Sequence, residues 1–134
     1  MSRLLVIGCG GVAQVAIQKC AQNSKVFTHM CLASRTVSKC EALKEKLEKQ
    51  GCGVEIITDT VNADDTADVV RLIKVYKPDA VLNVALPYQD LTIMDACLEC
   101  KVDYIDTANY EPEDTDDPNW LKIYEKRCKE KGFT

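Results

Sequence analysis

The chain has little of what marks nucleic-acid-binding, membrane-spanning and secreted proteins. Its 134 residues carry 17 basic and 21 acidic side chains, a net charge of −4, so it lacks the basic excess of a general polyanion binder. No apolar run approaches the roughly 20 residues that cross a bilayer. The apolar segment at residues 4–7 is too short for a secretion signal. We therefore expect a cytoplasmic protein that binds neither nucleic acid nor membrane.

Histidine is nearly absent. The single histidine, His29, falls within a predicted strand and has no acid or nucleophile near it in sequence, so we expect it to be structural. None of the five tyrosines has a lysine four positions later. The Tyr-x-x-x-Lys pair that short-chain reductases use is therefore missing.

Cysteine, by contrast, is common, with eight in the chain. Because no export signal is apparent, we expect packed or surface thiols rather than a disulfide framework. Cys97 and Cys100 form a C-x-x-C pair, but they lie late in a predicted helix and no second pair completes a zinc site. We predict no metal site.

The most informative segment is 3–13, where an apolar run ends in glycines and passes into a helical pattern. Its spacing is G-x-G-x-x-A: the first glycine permits a tight turn, the second lets the backbone approach a diphosphate, and the alanine allows close helix–strand contact. The positive end of the following helix then faces the phosphates. The predicted diphosphate-binding residues are Gly8, Gly10, Gly11, Val12 and Ala13.

Apolar runs and helical patterns alternate along the whole chain. Strands are predicted at 3–8, 26–33, 54–58, 80–85 and 104–107, and helices at 11–22, 38–50, 65–77, 90–101 and 118–132. This order predicts a doubly wound parallel α/β sheet of the Rossmann type with five strands present. That fold has six strands, so we expect residues 1–134 to be a single NAD(P)-binding domain from a longer enzyme, with the sixth strand and substrate domain outside this chain.

Local patterns refine these helices. Ser38 and Glu41 have the spacing of a capping box, and Asp90 is predicted to cap the fourth helix. Asp64 or Asp65 is predicted to cap the third. Val12, Val15, Ala16 and Cys20 are assigned to the apolar face of the first helix.

The end of the second strand predicts the cofactor. NAD-binding domains place an acid there to bind the adenine ribose, but this chain has Ser34, Arg35 and Thr36, and no acid before Glu41. Arg35 can bind a 2′-phosphate through charge-assisted hydrogen bonds, and Lys39 adds a second positive charge. We therefore predict NADP(H) rather than NAD(H).

Later strand ends should reach the same crevice, because ligands lie beyond the carboxyl ends of the strands. Residues predicted to bind the cofactor there are Asn83, Val84, Ala85, Leu86 and Pro87. Asp64 is placed on the adenine side, although helix capping alone would also explain it. Residues predicted on the substrate side are Tyr88, Gln89, Asp106, Thr107 and Ala108. For Asp106, a strand-end acid bonded to backbone groups is the competing interpretation.

Four stretches together resemble one enzyme family. They are 6–14 (Val-Ile-Gly-Cys-Gly-Gly-Val-Ala-Gln), 33–36 (Ala-Ser-Arg-Thr), 79–88 (Asp-Ala-Val-Leu-Asn-Val-Ala-Leu-Pro-Tyr) and 104–110 (Tyr-Ile-Asp-Thr-Ala-Asn-Tyr). The chain resembles the saccharopine dehydrogenase family, and within it the carboxynorspermidine dehydrogenase (synthase) branch. The third stretch, continued by Gln89 and Asp90, is the most specific of the four.

The resemblance implies an oxidoreductase that uses NADPH to reduce an imine formed from an amine and an amino-acid semialdehyde. In the polyamine branch these are a diamine and aspartate semialdehyde; in the lysine branch they are glutamate and aminoadipate semialdehyde. It also implies that Leu86, Pro87 and Tyr88 border the nicotinamide and the substrate. We expect the full-length protein to be a homo-oligomer, and this domain alone to bind cofactor without turnover. Its catalytic residues stay unassigned.

A regulatory nucleotide-sensing domain is the alternative. Such domains have a similar size and fold, but generally carry an acid after the second strand. Arg35 at that position counts against this interpretation.

Overall fold

Strands and helices alternate along the part of the chain that the computed structural model describes, residues 2–107, 120–130 and 132. The strands are β1 (Ser2–Ile7), β2 (Phe27–Ser34), β3 (Glu55–Thr60), β4 (Ala80–Asn83) and β5 (Asp103–Asp106). The helices are α1 (Gly11–Ala21), α2 (Val37–Lys49), α3 (Thr66–Tyr76), α4 (Asp90–Cys100) and α5 (Trp120–Glu130), with a 3₁₀ turn (Pro87–Gln89) before α4. The predicted start of the last helix, at residues 117–118, lies outside the described residues.

The strands form one parallel sheet in the order β3-β2-β1-β4-β5. This order confirms the doubly wound prediction, because the chain runs from β1 to one edge and then returns to the other side of β1. Ile7 pairs with Ala33 of β2 and with Asn83 of β4, so these three strands end at the same level. The connections that follow β1 and β4 then diverge to opposite faces and leave a crevice between them.

The sheet has an apolar layer on each face. Leu5 and Ile7 pack with α3 and α4, whereas Leu4 and Val6 pack with α1 and α2. The central strand is therefore buried on both faces, which explains its uninterrupted apolar sequence.

The predicted inner face of α1 is wrong at its two valines, whereas Cys20 is partly buried against the core. The helix buries Ala13, Ile17 and Ala21, while Val12 and Val15 are 64% and 61% exposed. Two of the three inner residues are alanines, which let the helix lie close to the sheet. The valines drew the prediction to a different face because they are more apolar than the two inner alanines.

Two predicted caps are also wrong. Helix α2 begins at Val37 after Thr36, and Glu41 accepts a hydrogen bond from the Thr58 hydroxyl instead of closing a capping box with Ser38. Asp90 is already helical, and its carboxylate accepts a hydrogen bond from Asn83. The cap of α3 is confirmed, because the Asp65 side chain accepts a hydrogen bond from the N–H of Ala67.

Candidate cofactor-binding site

A crevice of about 290 Å³ opens where β1, β2 and β4 end. It brings together residues that the sequence places in three separate segments. The predicted residues that line it are Gly8, Gly10, Ser34, Arg35, Thr36, Lys39, Val84, Ala85, Leu86 and Gln89. The site thus lies at the switch point of the sheet, where doubly wound folds bind dinucleotides.

The first glycine of the turn is required by its surroundings. Gly8 has φ +113°, and a Cβ atom there would lie 2.6 Å from the carbonyl oxygen of Val84. Its N–H donates to the carbonyl of Ala33 at 2.9 Å, and the N–H of Val84 donates to the carbonyl of Ile7 at 2.9 Å. The turn is therefore held between β2 and the loop after β4, with no space for a side chain.

The next glycines leave space for a ligand. A Cβ atom on Gly10 or Gly11 would have no neighbour within 4 Å. Gly10 is the N-cap of α1 and supplies no side-chain hydrogen bond, so the first N–H groups of the helix are left to other acceptors. Ala13 is fully buried against the sheet, as predicted for the alanine of the motif. This arrangement fits a diphosphate at the start of α1.

The positive charge of the crevice lies on the lip beside α2. Arg35 and Lys39 line it and are exposed, and neither has a carboxylate partner among the described residues. No acidic residue lines the crevice within that part of the chain. Two unpaired cations without a competing acid fit a phosphate ester better than a ribose hydroxyl.

Ser34 lines the crevice, and its hydroxyl forms hydrogen bonds within its own turn. Its hydroxyl donates to the carbonyl of Thr36 at 2.9 Å and accepts from the N–H of Thr36 at 3.2 Å. The hydroxyl proton is therefore used to shape the turn that presents Arg35, rather than offered to a ligand.

Four lining residues were missed by the sequence analysis: Ile7, Cys9, Val61 and Ala63. The residues after β3 could have been found by the strand-end rule that was applied to the other strands. Cys9 could not have been found from the sequence, because its place in the crevice lining depends on packing. Burial and the neighbouring Cys40 thiol raise the pKa of Cys9 to about 12, so it contributes a neutral thiol.

Gln89 and Asp64 form one unit in the structure. Gln89 is 3% exposed, and its Nε2 donates to Asp64 Oδ1 at 3.0 Å. Its Oε1 accepts from the N–H of Leu86 at 3.4 Å. The glutamine thus connects the loop after β3 to the loop after β4, with its side chain held by protein partners.

Asn83 is not among the lining residues of the crevice. Its Nδ2 donates to Asp90 Oδ1 at 2.8 Å and to the Tyr104 hydroxyl oxygen at 3.0 Å, and its Oδ1 accepts from the N–H of Ala85 at 2.9 Å. The Tyr104 hydroxyl donates to Asp106 Oδ2 at 2.8 Å. Asn83 therefore fixes the shape of the loop that lines the crevice.

The remaining predicted residues are not among the lining residues of the crevice. Pro87, Tyr88 and Asp106 are partly buried, and Val12 and Thr107 are exposed. Gly11 is exposed at the start of α1. Ala108 lies outside the described residues.

Residues interpreted as structural lie elsewhere. His29 is on β2, where its Nε2 is 3.3 Å from Glu55 Oε2 and its Nδ1 is 2.9 Å from the Thr28 hydroxyl. Burial raises the pKa of Cys97 to about 12 and also raises the pKa of Cys100, which disfavours the thiolates that metal or redox chemistry needs. No helix in the described part of the chain has the length and apolar character to cross a bilayer.

A doubly wound sheet with a glycine turn and a basic lip at its switch point defines a nicotinamide-dinucleotide-binding domain. Residues 4–134 match the family described as the saccharopine dehydrogenase NADP binding domain. The chain belongs to this family, and the predicted resemblance is confirmed. The sensor alternative gains no support.

Curated relatives extend the match. A carboxyaminopropylagmatine dehydrogenase of Synechocystis sp. is 41% identical over 135 residues, covering 99% of this chain and 33% of that protein. A carboxynorspermidine synthase of Vibrio alginolyticus is 41% identical over 109 residues, covering 78% of this chain and 26% of that protein. The chain thus spans between a quarter and a third of the length of these relatives.

Solved structures share the fold. An apo, histidine-tagged saccharopine dehydrogenase (L-Glu forming) of Saccharomyces cerevisiae aligns with a TM-score of 0.68 at 19% identity, over 100% of this chain and 26% of that one. A scyllo-inositol dehydrogenase of Lactobacillus casei, with bound NAD(H) and scyllo-inositol, aligns with a TM-score of 0.64 at 13% identity, over 98% and 34% of the two chains.

Proposed function

We propose that this chain is the cofactor-binding domain of an NADPH-dependent enzyme that reduces an imine formed from an amine and an amino-acid semialdehyde. The observation that carries the cofactor assignment is the lining of the crevice, with Arg35 and Lys39 as its charged residues and no carboxylate among the described ones. The names of the curated relatives support the reaction class.

The chain's own residues would divide the binding of NADPH. The turn at Gly8–Gly10 and the start of α1 would receive the diphosphate, and Arg35 and Lys39 the 2′-phosphate. The loop 84–86, held by Asn83, would border the nicotinamide. When bound, NADPH supplies the hydride, and the protein supplies orientation and shields the reacting carbon from water.

The semialdehyde and amine are proposed from the relatives. Their names refer to carboxynorspermidine and to a carboxyaminopropyl derivative of agmatine. These names favour a polyamine-type amine with aspartate semialdehyde over glutamate with aminoadipate semialdehyde.

The wider setting is also proposed. The lengths of the relatives support a longer enzyme in which residues 1–134 form one domain and other segments bind the substrate. The relatives are named for reactions of small molecules, which supports a cytoplasmic enzyme with a small-molecule substrate. We propose no binding to nucleic acid or to a membrane. A homo-oligomer stays a prediction.

Cofactor selectivity tests the first part of the proposal. Calorimetry should show tighter binding of NADPH than of NADH, and Arg35→Ala should remove most of that preference. Loss of one charge-assisted contact costs about 1.5–3 kcal/mol, roughly 10- to 150-fold in affinity. Lys46→Ala removes an exposed charge from the far end of α2 and is the matched control. Equal affinities for the two cofactors in the wild type would reject the assignment.

Turnover tests the second part. The full-length protein should oxidise NADPH when an amine and a semialdehyde are supplied together, and not with either alone. A series of diamines and agmatine with aspartate semialdehyde should be compared with glutamate and aminoadipate semialdehyde. NADPH binding without oxidation for any pair would leave a dinucleotide-binding domain and contradict the reaction.

A further inference from the structure

The hydrogen bonds around Asn83 have one direction only. The backbone N–H of Ala85 can donate but not accept, so the atom of Asn83 that it contacts is the amide oxygen. Nδ2 must then donate to both Asp90 and Tyr104. Because the tyrosine oxygen accepts from Asn83, its single proton is directed to Asp106 Oδ2. The network therefore ends on a carboxylate that accepts.

Within the described part of the chain, this carboxylate is held by a side chain, the hydroxyl of Tyr104. Asp106 is the last residue of β5 and pairs with Asn83 in register. Its bonded partner among the described residues is the Tyr104 hydroxyl, and no lysine or arginine there pairs with it. Among the described residues, Asp106 is thus a partly exposed acid held by the Tyr104 hydroxyl, and its bonding to backbone groups stays the competing interpretation.

The second acid of the network is in a contrasting environment. Asp90 is 2% exposed, and its Oδ2 is buried without a hydrogen-bond partner among the described residues. Burial, reinforced by the charge of Asp106, raises the pKa of Asp90 to about 7. Environments that differ in this way separate the roles of two carboxyl groups. Asp90 is suited to hold a proton inside the domain, whereas Asp106 is partly exposed at its surface.

The position of Asp106 fits a substrate contact. The residues that follow its register partner Asn83 are Val84, Ala85 and Leu86, which line the crevice, whereas Asp106 itself lies outside that lining. Parallel strand ends beyond the switch point face the ligand. A group bound past the nicotinamide end of the cofactor would approach β5.

We propose that Asp106 binds the cationic nitrogen of the amine substrate, and that Tyr104 and Asn83 are positioning residues that orient its carboxylate. This inference rests on the proposed function and deepens it. A carboxylate that has no basic partner among the described residues attracts a diamine or a guanidino amine and repels a dicarboxylic amino acid. Asp106 would thus determine which class of amine the enzyme accepts.

The test uses the full-length protein and Asp106→Asn, which keeps the shape of the side chain but removes its charge. Asp103→Asn is the matched control, since Asp103 is the exposed first residue of the same strand at the opposite end of the sheet. We expect Asp106→Asn to raise the KM for diamines and agmatine tenfold or more, and to leave the affinity for NADPH within twofold. Tyr104→Phe should raise the same KM by a smaller factor at unchanged kcat. Calorimetry of a diamine with the NADP⁺-saturated protein gives the same comparison without turnover.

The outcomes are distinct. An unchanged amine KM in Asp106→Asn, in a protein that reduces the imine, would overturn the role of Asp106 and leave the proposed function intact. Equal effects of Asp106→Asn and Asp103→Asn would also overturn it. A wild type that accepts glutamate and not diamines would contradict the charge argument. If no amine supports NADPH oxidation, the inference and the proposed reaction both fail.

Discussion

Gly8 and Val84 are in such close backbone contact that a methyl group on the glycine would lie 2.6 Å from the valine carbonyl oxygen. Gly8→Ala therefore combines a steric clash with an unfavourable φ of +113°. We expect a loss of at least about 2 kcal/mol in the free energy of unfolding. The affinity for NADPH should fall as well, because the clash separates two sides of the crevice. Urea denaturation and calorimetry measure the two effects.

Gly51 provides the control for this substitution. It also has a positive φ, +73°, but a Cβ atom there would meet nothing within 4 Å. Gly51→Ala should cost about 1 kcal/mol of stability and leave cofactor binding unchanged. If both variants lose the same free energy of unfolding and keep their NADPH affinity, the close contact at Gly8 does not contribute to cofactor binding.

A second prediction concerns the bond between Gln89 and Asp64. Gln89→Glu would place a carboxylate about 3.0 Å from that of Asp64, where the amide now donates. We expect a loss of about 1–3 kcal/mol in stability and weaker NADPH binding, since Gln89 lines the crevice. Combining Gln89→Glu with Asp64→Asn restores a donor–acceptor pair. The double variant should recover most of the lost stability and most of the lost NADPH affinity. The absence of recovery in the double variant would mean that this bond does not connect the loops.

A third prediction follows from the raised pKa of Asp90, about 7. The folded protein keeps this proton in the range where the unfolded chain, with its ordinary pKa of 3.8, has lost it. The free energy of unfolding should therefore decrease as the pH rises from about 4 to 7, by up to about 4 kcal/mol at 1.4 kcal/mol per pKa unit. Asp90→Asn carries no such charge and should gain stability relative to the wild type over that range.

The measurement is urea denaturation at pH 4, 6 and 8 for the wild type, Asp90→Asn and Asp103→Asn. The exposed Asp103 should contribute no comparable difference. The same difference in the free energy of unfolding between the wild type and Asp90→Asn at all three pH values would contradict the buried proton.

A fourth prediction separates stability from binding. Arg3 Nη2 donates to the carbonyl of Tyr76 at 2.7 Å, and its guanidinium lies 4.5 Å from the centre of the Tyr76 ring. Arg3→Lys loses this geometry and should cost about 1–3 kcal/mol. NADPH affinity should not change, because this contact is at the other end of β1. Lys74→Ala, which removes an exposed pair with Glu99, should cost less than about 1 kcal/mol.

The order of elements was predictable because the apolar runs are buried on both faces of a parallel sheet. The glycine turn was predictable because Gly8 meets two local requirements, a positive φ and a close contact. The inner face of α1 was not, since alanines pack closest to the sheet although valines are more apolar. Asp90 resembled a cap in sequence but is a buried acid bonded to Asn83, which in turn contacts Tyr104 from the next strand.

The site also has some residues that the sequence predicts and some contacts that it does not. Residues at the lip, such as Arg35 and Lys39, were found from strand ends, because the fold fixes their position. The pairing of Gln89 with Asp64 was not found, since it joins loops 25 residues apart and leaves no pattern in sequence. The direction of the Asn83 network likewise depends on one backbone N–H, which only coordinates reveal.

The place of β1 between β2 and β4 has a mechanical consequence. The two halves of the sheet are joined along one seam, where Leu4–Ile7 pairs with Ala80–Asn83. A dinucleotide lying from Arg35 to Leu86 would cross this seam at its open end and resist the parting of the two halves. Cofactor occupancy would then slow amide hydrogen exchange in β1 and β4 together, linking the rigidity of the adenine half to that of the nicotinamide half.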